Sequence, residues 1–245
     1  MKKILCLCCA VLLLFTGCNF RIEVGGNSPA PPEPAVPSLT YTLPAPKTDG
    51  DMSVEQAMQN RRSVRRFEDK ALSKEQLSQL LWAAYGITQP ITDNPARRGG
   101  LRTTPSAGAL YPLEIYVVVG KADGIETGVY KYDSQTNTIA QTIDRDIREE
   151  LMAISANQAM IGAAPVTILY CAVFDRMRER YGDRSERYAY IEVGHSAQNV
   201  YLQAESLGLG TCASGAFTDS EVSKLLNLPR DESPLYMMPT GYPQG

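Results

Sequence analysis

Thr103-Thr104-Pro105-Ser106-Ala107-Gly108-Ala109-Leu110-Tyr111-Pro112 runs directly into Leu113-Glu114-Ile115-Tyr116-Val117-Val118-Val119. The first part is a loop of small side chains through which backbone can approach a flat ligand, although a plain connection ahead of a strand has the same composition. The second part is an apolar, β-branched run of strand length, and Pro165 to Val173 repeats it. Runs of this kind, with no polar alternation, are expected where both faces of a strand are buried, so both are read as central strands.

Working outward, Ser53 followed by Gln56 is a capping-box pattern and predicts a short helix through Asn60. Ser73 and Gln76 repeat the device, with Leu77, Leu80, Leu81 and Ala84 on one face before Gly86 stops the helix. Val129 to Asp133 and Thr138 to Thr142, joined by Ser134 to Asn137, predict a hairpin. Asp144 to Ile161 carries Ile147, Leu151 and Ile154 at helical spacing. The longest helix is expected from about Arg187 to Leu207, with Ile191, Ala197, Val200, Tyr201, Ala204 and Leu207 turned inward. Thr218 with Glu221 caps one more helix, and Leu235 to Met238 is a last short strand. Helices and strands mingle without regular strand, helix, strand alternation, which implies an α+β domain around a mainly antiparallel sheet. No G-x-G-x-x-G follows a strand, so a Rossmann dinucleotide-binding domain is not expected, and the P-loop pattern is absent as well.

Composition narrows the chemistry. A single His among 245 residues and no paired Cys spacing in the body of the chain exclude the multi-histidine and thiolate metal centres, so no metal ligands are assigned. The formal charge of -3 argues against nucleic acid as a partner, because that binding draws on clustered Lys and Arg.

Residues 1–17 read as a signal peptide: Lys2 and Lys3, an apolar run from Ile4 through Phe15, then Thr16 and Gly17 before Cys18. The run is short for a bilayer span, which makes an uncleaved anchor the weaker alternative. Leu14-Phe15-Thr16-Gly17-Cys18 resembles a bacterial lipobox, with Phe15 where Leu is more usual. The resemblance implies lipidation of Cys18 and a lipid-anchored protein of the cell envelope, outside the cytoplasm. Residues 18–50 hold seven of the 16 prolines and little apolar periodicity, and are expected to be a flexible tether. Residues 51–245 are then the folded domain. Cys171, in a strand-like run, is expected to be a buried thiol.

Three segments invite a functional reading. Arg61-Arg62-Ser63-Val64-Arg65-Arg66 places four guanidiniums in six residues. They repel one another unless an anion neutralises them or they point apart into water. A solvated basic turn and a phosphate site with bidentate Arg and a Ser hydroxyl both fit. The 103–112 loop is the second segment. Leu207 to Phe217, rich in small residues after the long helix, is the third, and alone it reads only as a helix stop and a tight strand.

In this order and spacing, and with Gly194-His195-Ser196-Ala197-Gln198-Asn199 and Met238-Pro239-Thr240-Gly241-Tyr242-Pro243, the chain resembles the nitroreductase family of flavin mononucleotide (FMN) enzymes from about Ser53 to Pro243. Pro105 to Glu114 is similar to a hallmark stretch of its SagB-type dehydrogenase branch. The resemblance implies a nitroreductase-like fold, a homodimer sharing two flavin sites, and FMN as cofactor with NAD(P)H as a candidate donor. Arg61, Ser63 and Arg65 would bind flavin phosphate and ribityl or ring oxygens, with Arg62 adding backbone or side-chain contacts. Pro105, Ser106 and Ala107 would line the isoalloxazine, reaching across from the partner subunit. Ser214 and Gly215 fall where the family presents backbone N–H near N5, a donor that stabilises the reduced ring. Asn157 and Gln158 are candidate ring-edge amides. Many members continue past Gly-Tyr-Pro to basic residues, whereas this sequence ends at Gly245, which leaves Arg65 or Arg66 to supply that charge or predicts weaker flavin binding.

The implied activity is an FMN-dependent oxidoreductase passing hydride or electrons from a reduced donor to an organic acceptor such as a nitroaromatic or quinone, with no protein nucleophile. Outside the cytoplasm NAD(P)H is scarce, so a quinol or partner protein is an alternative donor. Peptide-azoline dehydrogenation, with Lys131 and Tyr132 as the acid-base pair, is a second reading, and an envelope flavin-binding module without turnover is a third. Tyr130-Lys131-Tyr132 also has the ordinary pattern of a half-exposed strand. His195 and Cys212 lack a nucleophile elbow and are expected to be a packed or interface histidine and a small core residue. Tyr111 either borders the substrate cavity or packs.

Overall fold

The computed structural model describes residues 39–245. The signal segment 1–17, the lipidation site Cys18 and the tether up to residue 38 lie outside the described residues. The chain runs β1 (Thr40–Thr42), α1 (Val54–Asn60), α2 (Lys74–Tyr85), β2 (Ile87–Pro90), β3 (Gly100–Arg102) and β4 (Leu113–Val119). There follow β5 (Gly128–Asp133), β6 (Thr138–Ile143), α3 (Arg148–Ala153), α4 (Ala159–Ala163), β7 (Val166–Ala172) and α5 (Asp175–Tyr181). Last come α6 (Ser185–Ser206), β8 (Gly210–Thr211), α7 (Asp219–Leu225) and β9 (Ser233–Gly241).

The two apolar runs are the adjacent strands β4 and β7, buried along their whole length. They sit inside a sheet of order β1-β6-β5-β4-β7-β9-β8 in which every neighbouring pair is antiparallel. Leu113, Ile115, Val117 and Val119 face a core layer shared with α2 and α6, while Tyr116 and Val118 face a second layer with α3, α4 and α7. Period-two alternation therefore feeds two cores, and an α+β fold with a central antiparallel sheet flanked by helices results. Both capping boxes form: Ser53 Oγ accepts the Gln56 N–H at 3.1 Å, and Ser73 Oγ accepts that of Gln76 at 3.1 Å. Behind the second box Leu77, Leu80 and Leu81 are fully buried, each stabilising the fold by roughly 1.5–3 kcal/mol relative to exposure.

Several expectations need correcting. The folded domain begins before residue 51, because Thr40–Thr42 pairs with β6 and the stretch after it docks on α2. There Ser78 donates to Pro44 O at 2.6 Å, and the Gln79 side chain brackets the Lys47 peptide at 2.8 and 3.0 Å. The Asp144 to Ile161 run is two helices, broken where Ala156 and Asn157 take φ of 53° and Thr218 N–H captures Ile154 O at 3.1 Å. That tertiary bond replaces a continuing helical one. Thr218 precedes α7 but makes no side-chain cap bond. β9 is nine residues, not four, despite Pro234 and Pro239. Pro239 O accepts the Thr211 hydroxyl, so its missing N–H falls on the β8 side and costs the β7 ladder nothing. Ile191 is not turned inward: it is 49% exposed.

Candidate functional site

The Arg-rich segment leaves α1 and lies beside β8, with Ser63 bridged to Thr211 and Val64 N–H bonded to Thr211 O at 2.9 Å. This close approach requires Gly210, where an added Cβ would lie 2.5 Å from Val64 Cγ2. Arg62 folds back on the helix it follows, donating to the carbonyls of Gln59, Asn60 and Arg61 at 2.9, 3.2 and 2.9 Å. Through Nη1 it is a C-terminal cap, satisfying carbonyls that the helix leaves open, while its Nε and Nη2 bond no described residue. Arg61 lies 5.2 Å over the Tyr201 ring, Ser63 is exposed with Oγ 3.4 Å from Tyr201 Oη, and Arg65 and Arg66 are exposed. No described carboxylate forms an ion pair with any of these four arginines. Guanidiniums gathered without counter-charge suit an anion such as a phosphomonoester.

Tyr201 joins this segment to the next, since its Oη also accepts the Ala213 N–H at 2.8 Å. Sequence reasoning placed Tyr201 in the core; its half-buried position at the hinge of two segments follows only from the packing of α6. Ser214 does not present its N–H outward. That N–H donates to Met237 O at 2.8 Å, and Ser214 O accepts the Met237 N–H at 2.9 Å, so the strand pairing consumes the donor expected near a ring. Gly215 is exposed, and its N–H bonds no described residue. Gln158 is the brace of this turn: its Nε2 donates to Ser214 Oγ, Ser155 O and Ala216 O at 2.8, 2.9 and 3.1 Å, while Ser214 Oγ donates to its Oε1 at 3.0 Å. Asn157 beside it is exposed.

The 103–112 loop is anchored elsewhere. Asn199 Nδ2 donates to Thr103 O at 3.1 Å and to Thr104 Oγ1 at 3.2 Å, and Thr104 donates to Ala84 O at 2.9 Å. Ser106 Oγ accepts the Tyr111 N–H at 2.9 Å, closing a turn in which Gly108, Ala109 and Tyr111 have φ of 62°, 52° and 49°. Tyr111 packs, with 2% exposure. Asn199 and Tyr201 project about 200° apart on α6, so one protomer holds Pro105, Ser106 and Ala107 on the opposite flank of that helix from Arg61 and Ser63. Within one chain these segments are not brought together.

Sequence reasoning missed a charge network at the start of β4. Glu114, 8% exposed, accepts from Arg98 at 2.8 Å, from Arg176, and lies 3.3 Å from Lys131 Nζ. Burial by itself raises its pKa, but the charges of Lys131, Arg98 and Arg176 outweigh that and hold the carboxyl below the usual range. Lys131 also pairs with Glu232, which accepts the Tyr116 hydroxyl at 2.8 Å. The signal was a carboxylate inside an otherwise apolar strand. Lys131 and Tyr132 project to opposite faces of β5, and the Tyr132 hydroxyl donates to Asn137 at 3.0 Å. A cavity of about 310 Å³ beside Arg98, Arg102, Glu114 and Lys131 opens there. His195 is exposed on the outer face of α6, and Cys212 is buried at 3%. Among the described residues no cluster of His, Cys, Asp or Glu could hold a metal ion, and no helix is long and apolar enough to cross a membrane.

The sequence profile of the nitroreductase family matches residues 58–242. A nitroreductase-family protein of Methanocaldococcus jannaschii is 43% identical over 191 residues, 78% of this chain and 91% of its own length. The microcin B17-processing protein McbC of Escherichia coli is 29% identical over 133 residues, 52% of this chain and 48% of its own. An NADPH-flavin oxidoreductase of Vibrio harveyi is 30% identical over 117 residues, 44% of this chain and 49% of its own. The chain thus matches about half the length of the latter two. A crystal structure of a nitroreductase-type protein from Ralstonia eutropha superposes with a TM-score of 0.72 at 28% identity, covering 84% of this chain and 90% of that one.

Proposed function

Since the chain belongs to the nitroreductase family, we propose that it is an FMN-dependent oxidoreductase passing hydride or electrons from a reduced donor, NAD(P)H being the simplest, to an organic acceptor such as a nitroaromatic or quinone. The observation that carries this reading is the group of unpaired guanidiniums around Ser63, tied through Tyr201 to the segment bearing the free Gly215 N–H. Arg61 and Arg65 would hold the flavin phosphate by charge-assisted bonds with Ser63 donating its hydroxyl, and Arg62 would add backbone contacts or side-chain contacts through Nε and Nη2. Gly215, held in place by its neighbour Ser214 and by Gln158, would donate to the ring where charge develops on reduction. Pro105, Ser106 and Ala107 would line the ring from a second protomer, which accounts for their place on the far flank of α6. Bound flavin would supply the hydride chemistry, and the protein would position it.

A homodimer is part of this proposal. Val54 and Met58 on α1 and Tyr190 and Ile191 on α6 are 58%, 57%, 52% and 49% exposed, an apolar outer face suited to a second copy. So is a lipid anchor at Cys18 holding the domain outside the cytoplasm, where a quinol or a partner protein would be the more available donor. Likeness to McbC favours a second reading, peptide-azoline dehydrogenation. It would need Lys131 or Tyr132 as a base, yet Lys131 is held between two carboxylates and burial pushes the Tyr132 phenol well above its ordinary range.

The test is to load the purified protein with FMN and add NADH or NADPH without oxygen. Bleaching of the visible flavin bands is expected. A flavin spectrum that persists favours another donor or a binding module without turnover. Arg61→Ala with Arg65→Ala should abolish flavin retention, and unchanged retention refutes the phosphate assignment.

A further inference from the structure

Tyr201 stands where the two halves of the candidate flavin site meet. Its Oη accepts the Ala213 N–H at 2.8 Å and lies 3.4 Å from Ser63 Oγ, while its ring carries the Arg61 guanidinium 5.2 Å from the centroid. The helix beneath it is firmly held. Ser196 donates to Ala84 O at 2.6 Å, Asn199 donates to Thr103 O at 3.1 Å, and Glu192, 1% exposed, accepts the Tyr85 hydroxyl through Oε1 at 2.5 Å. The buried Oε2 of that acid has no hydrogen-bond partner among the described residues. These bonds tie α6 to α2 and to the 103–112 loop, so Tyr201 is a fixed post on a rigid element rather than a group that follows its ligand.

The direction of the hydrogen bonds at Tyr201 can be worked out. A backbone N–H only donates, so the Ala213 contact makes the phenol oxygen an acceptor there. One phenol proton remains to be given, and Ser63 Oγ is the only other polar partner of Tyr201 Oη among the described residues. If Ser63 were the donor, the phenol proton would have no described acceptor, and the exposed side of Ser63 would present lone pairs to an incoming anion. If Tyr201 is the donor, Ser63 accepts with its oxygen and its own proton turns outward, beside the Arg61 guanidinium. An anion selects the second arrangement, because it repels lone pairs and takes the proton, and each bond in such a chain polarises the next.

We propose that the Tyr201 hydroxyl is a positioning group for the FMN phosphate: held by the Ala213 N–H, it donates to Ser63 Oγ and so aims the Ser63 hydroxyl at the phosphate. The inference rests on the flavin reading, which places the phosphate at Ser63. Tyr201 acts through Ser63, and the chain runs in one direction only, from the Ala213 N–H through Tyr201 and Ser63 to the anion.

The experiment measures dissociation constants of FMN and of riboflavin by flavin fluorescence, on the whole protein, for wild type, Tyr201→Phe, Ser63→Ala and the double variant. Riboflavin lacks only the phosphate, so the preference for FMN over riboflavin isolates the phosphate end. Loosening of the Ala213 segment, the purely structural effect of losing the hydroxyl, weakens both ligands alike and cancels in that ratio. Tyr201→Phe keeps a ring under Arg61 and is expected to lower the preference about threefold, since an unheld Ser63 hydroxyl has three staggered orientations of which one faces the phosphate. Ser63→Ala is expected to lower it about tenfold, the worth of one hydrogen bond to a charged group. The double variant is expected to match Ser63→Ala, because Tyr201 has nothing left to aim. An unchanged preference in Tyr201→Phe, or a threefold loss that persists in the Ser63→Ala background, overturns the inference and leaves the flavin reading standing. Wild type that binds FMN no tighter than riboflavin, or binds neither, refutes the phosphate assignment or the flavin reading itself, and the inference falls with it.

Discussion

Gly210→Ala is the substitution that most directly probes how the Arg-rich segment is seated. The new Cβ would lie 2.5, 2.6 and 2.9 Å from Val64 Cγ2, Cβ and Cγ1, about 1 Å inside ordinary carbon contact. Val64 cannot step aside cheaply: its side chain is branched at Cβ, and its backbone is tied to Thr211 at 2.9 Å. Relief must come from sliding residues 61–65 off β8, which costs about 2 kcal/mol as overpacking. The same slide separates Ser63 from Tyr201, now 3.4 Å apart, and should weaken FMN binding at least about tenfold because a phosphate cradle tolerates little displacement. Val64→Ala alone removes partly buried methyls and costs about 1 kcal/mol. In the double variant the contacts with Cγ1 and Cγ2 are gone while the one with Cβ at 2.6 Å remains, so the clash is relieved in part and the combined cost should fall below the sum of the two single costs, a coupling of about 1 kcal/mol. Urea unfolding at fixed protein concentration gives all three values, and flavin fluorescence gives the binding side. Additive costs, or full FMN affinity in Gly210→Ala, would refute the claim that contact between these two residues seats the segment.

Two further outcomes are expected. Glu192→Gln should leave flavin-free stability unchanged near pH 4.5 and raise it progressively to about 3 kcal/mol above pH 7. The sign follows because the folded state binds this proton up to about 7 and the unfolded state only to about 4.5, so rising pH favours unfolding of the wild type across that window. Urea midpoints at pH 5 and pH 8 check it, and a difference independent of pH would contradict it. Cys18→Ser should move the protein from the membrane fraction to the soluble fraction of expressing cells; unchanged fractionation would argue against lipid attachment.

Legibility followed the range of the interaction. The helix starts at Ser53 and Ser73 were readable because a capping box is complete within four residues. The hairpin of β5 and β6 was readable for the same reason, its turn lying at Ser134 to Asn137. β4 and β7 declared their burial on both faces through unbroken apolar composition. The break at residues 154–158 was not readable, since Ile147, Leu151 and Ile154 keep helical spacing and the bond that stops the helix comes from Thr218. Ile191 misled because an apolar stripe on α6 looks alike whether it faces a core or a solvent-exposed apolar surface.

At the site the division is similar. The Arg61 to Arg66 cluster and the small-residue loops were visible as composition, and their order along the chain pointed to the nitroreductase family. Which donors are free was not visible. The Ser214 N–H is consumed by Met237, Arg62 Nη1 by its own helix, and the Gln158 amide by the turn it braces. Glu192 meets Tyr85 across 107 residues of sequence and Glu232 meets Tyr116 across 116. By itself the sequence determined the local elements, the two-sided burial of the central strands and the family, because periodicity and capping are short-range and independent of partners. Only the tertiary structure decided the strand order, the seating of the cationic segment on β8, and which buried acid has an empty oxygen, because each depends on which distant side chain arrives first at a group that can make only a few hydrogen bonds.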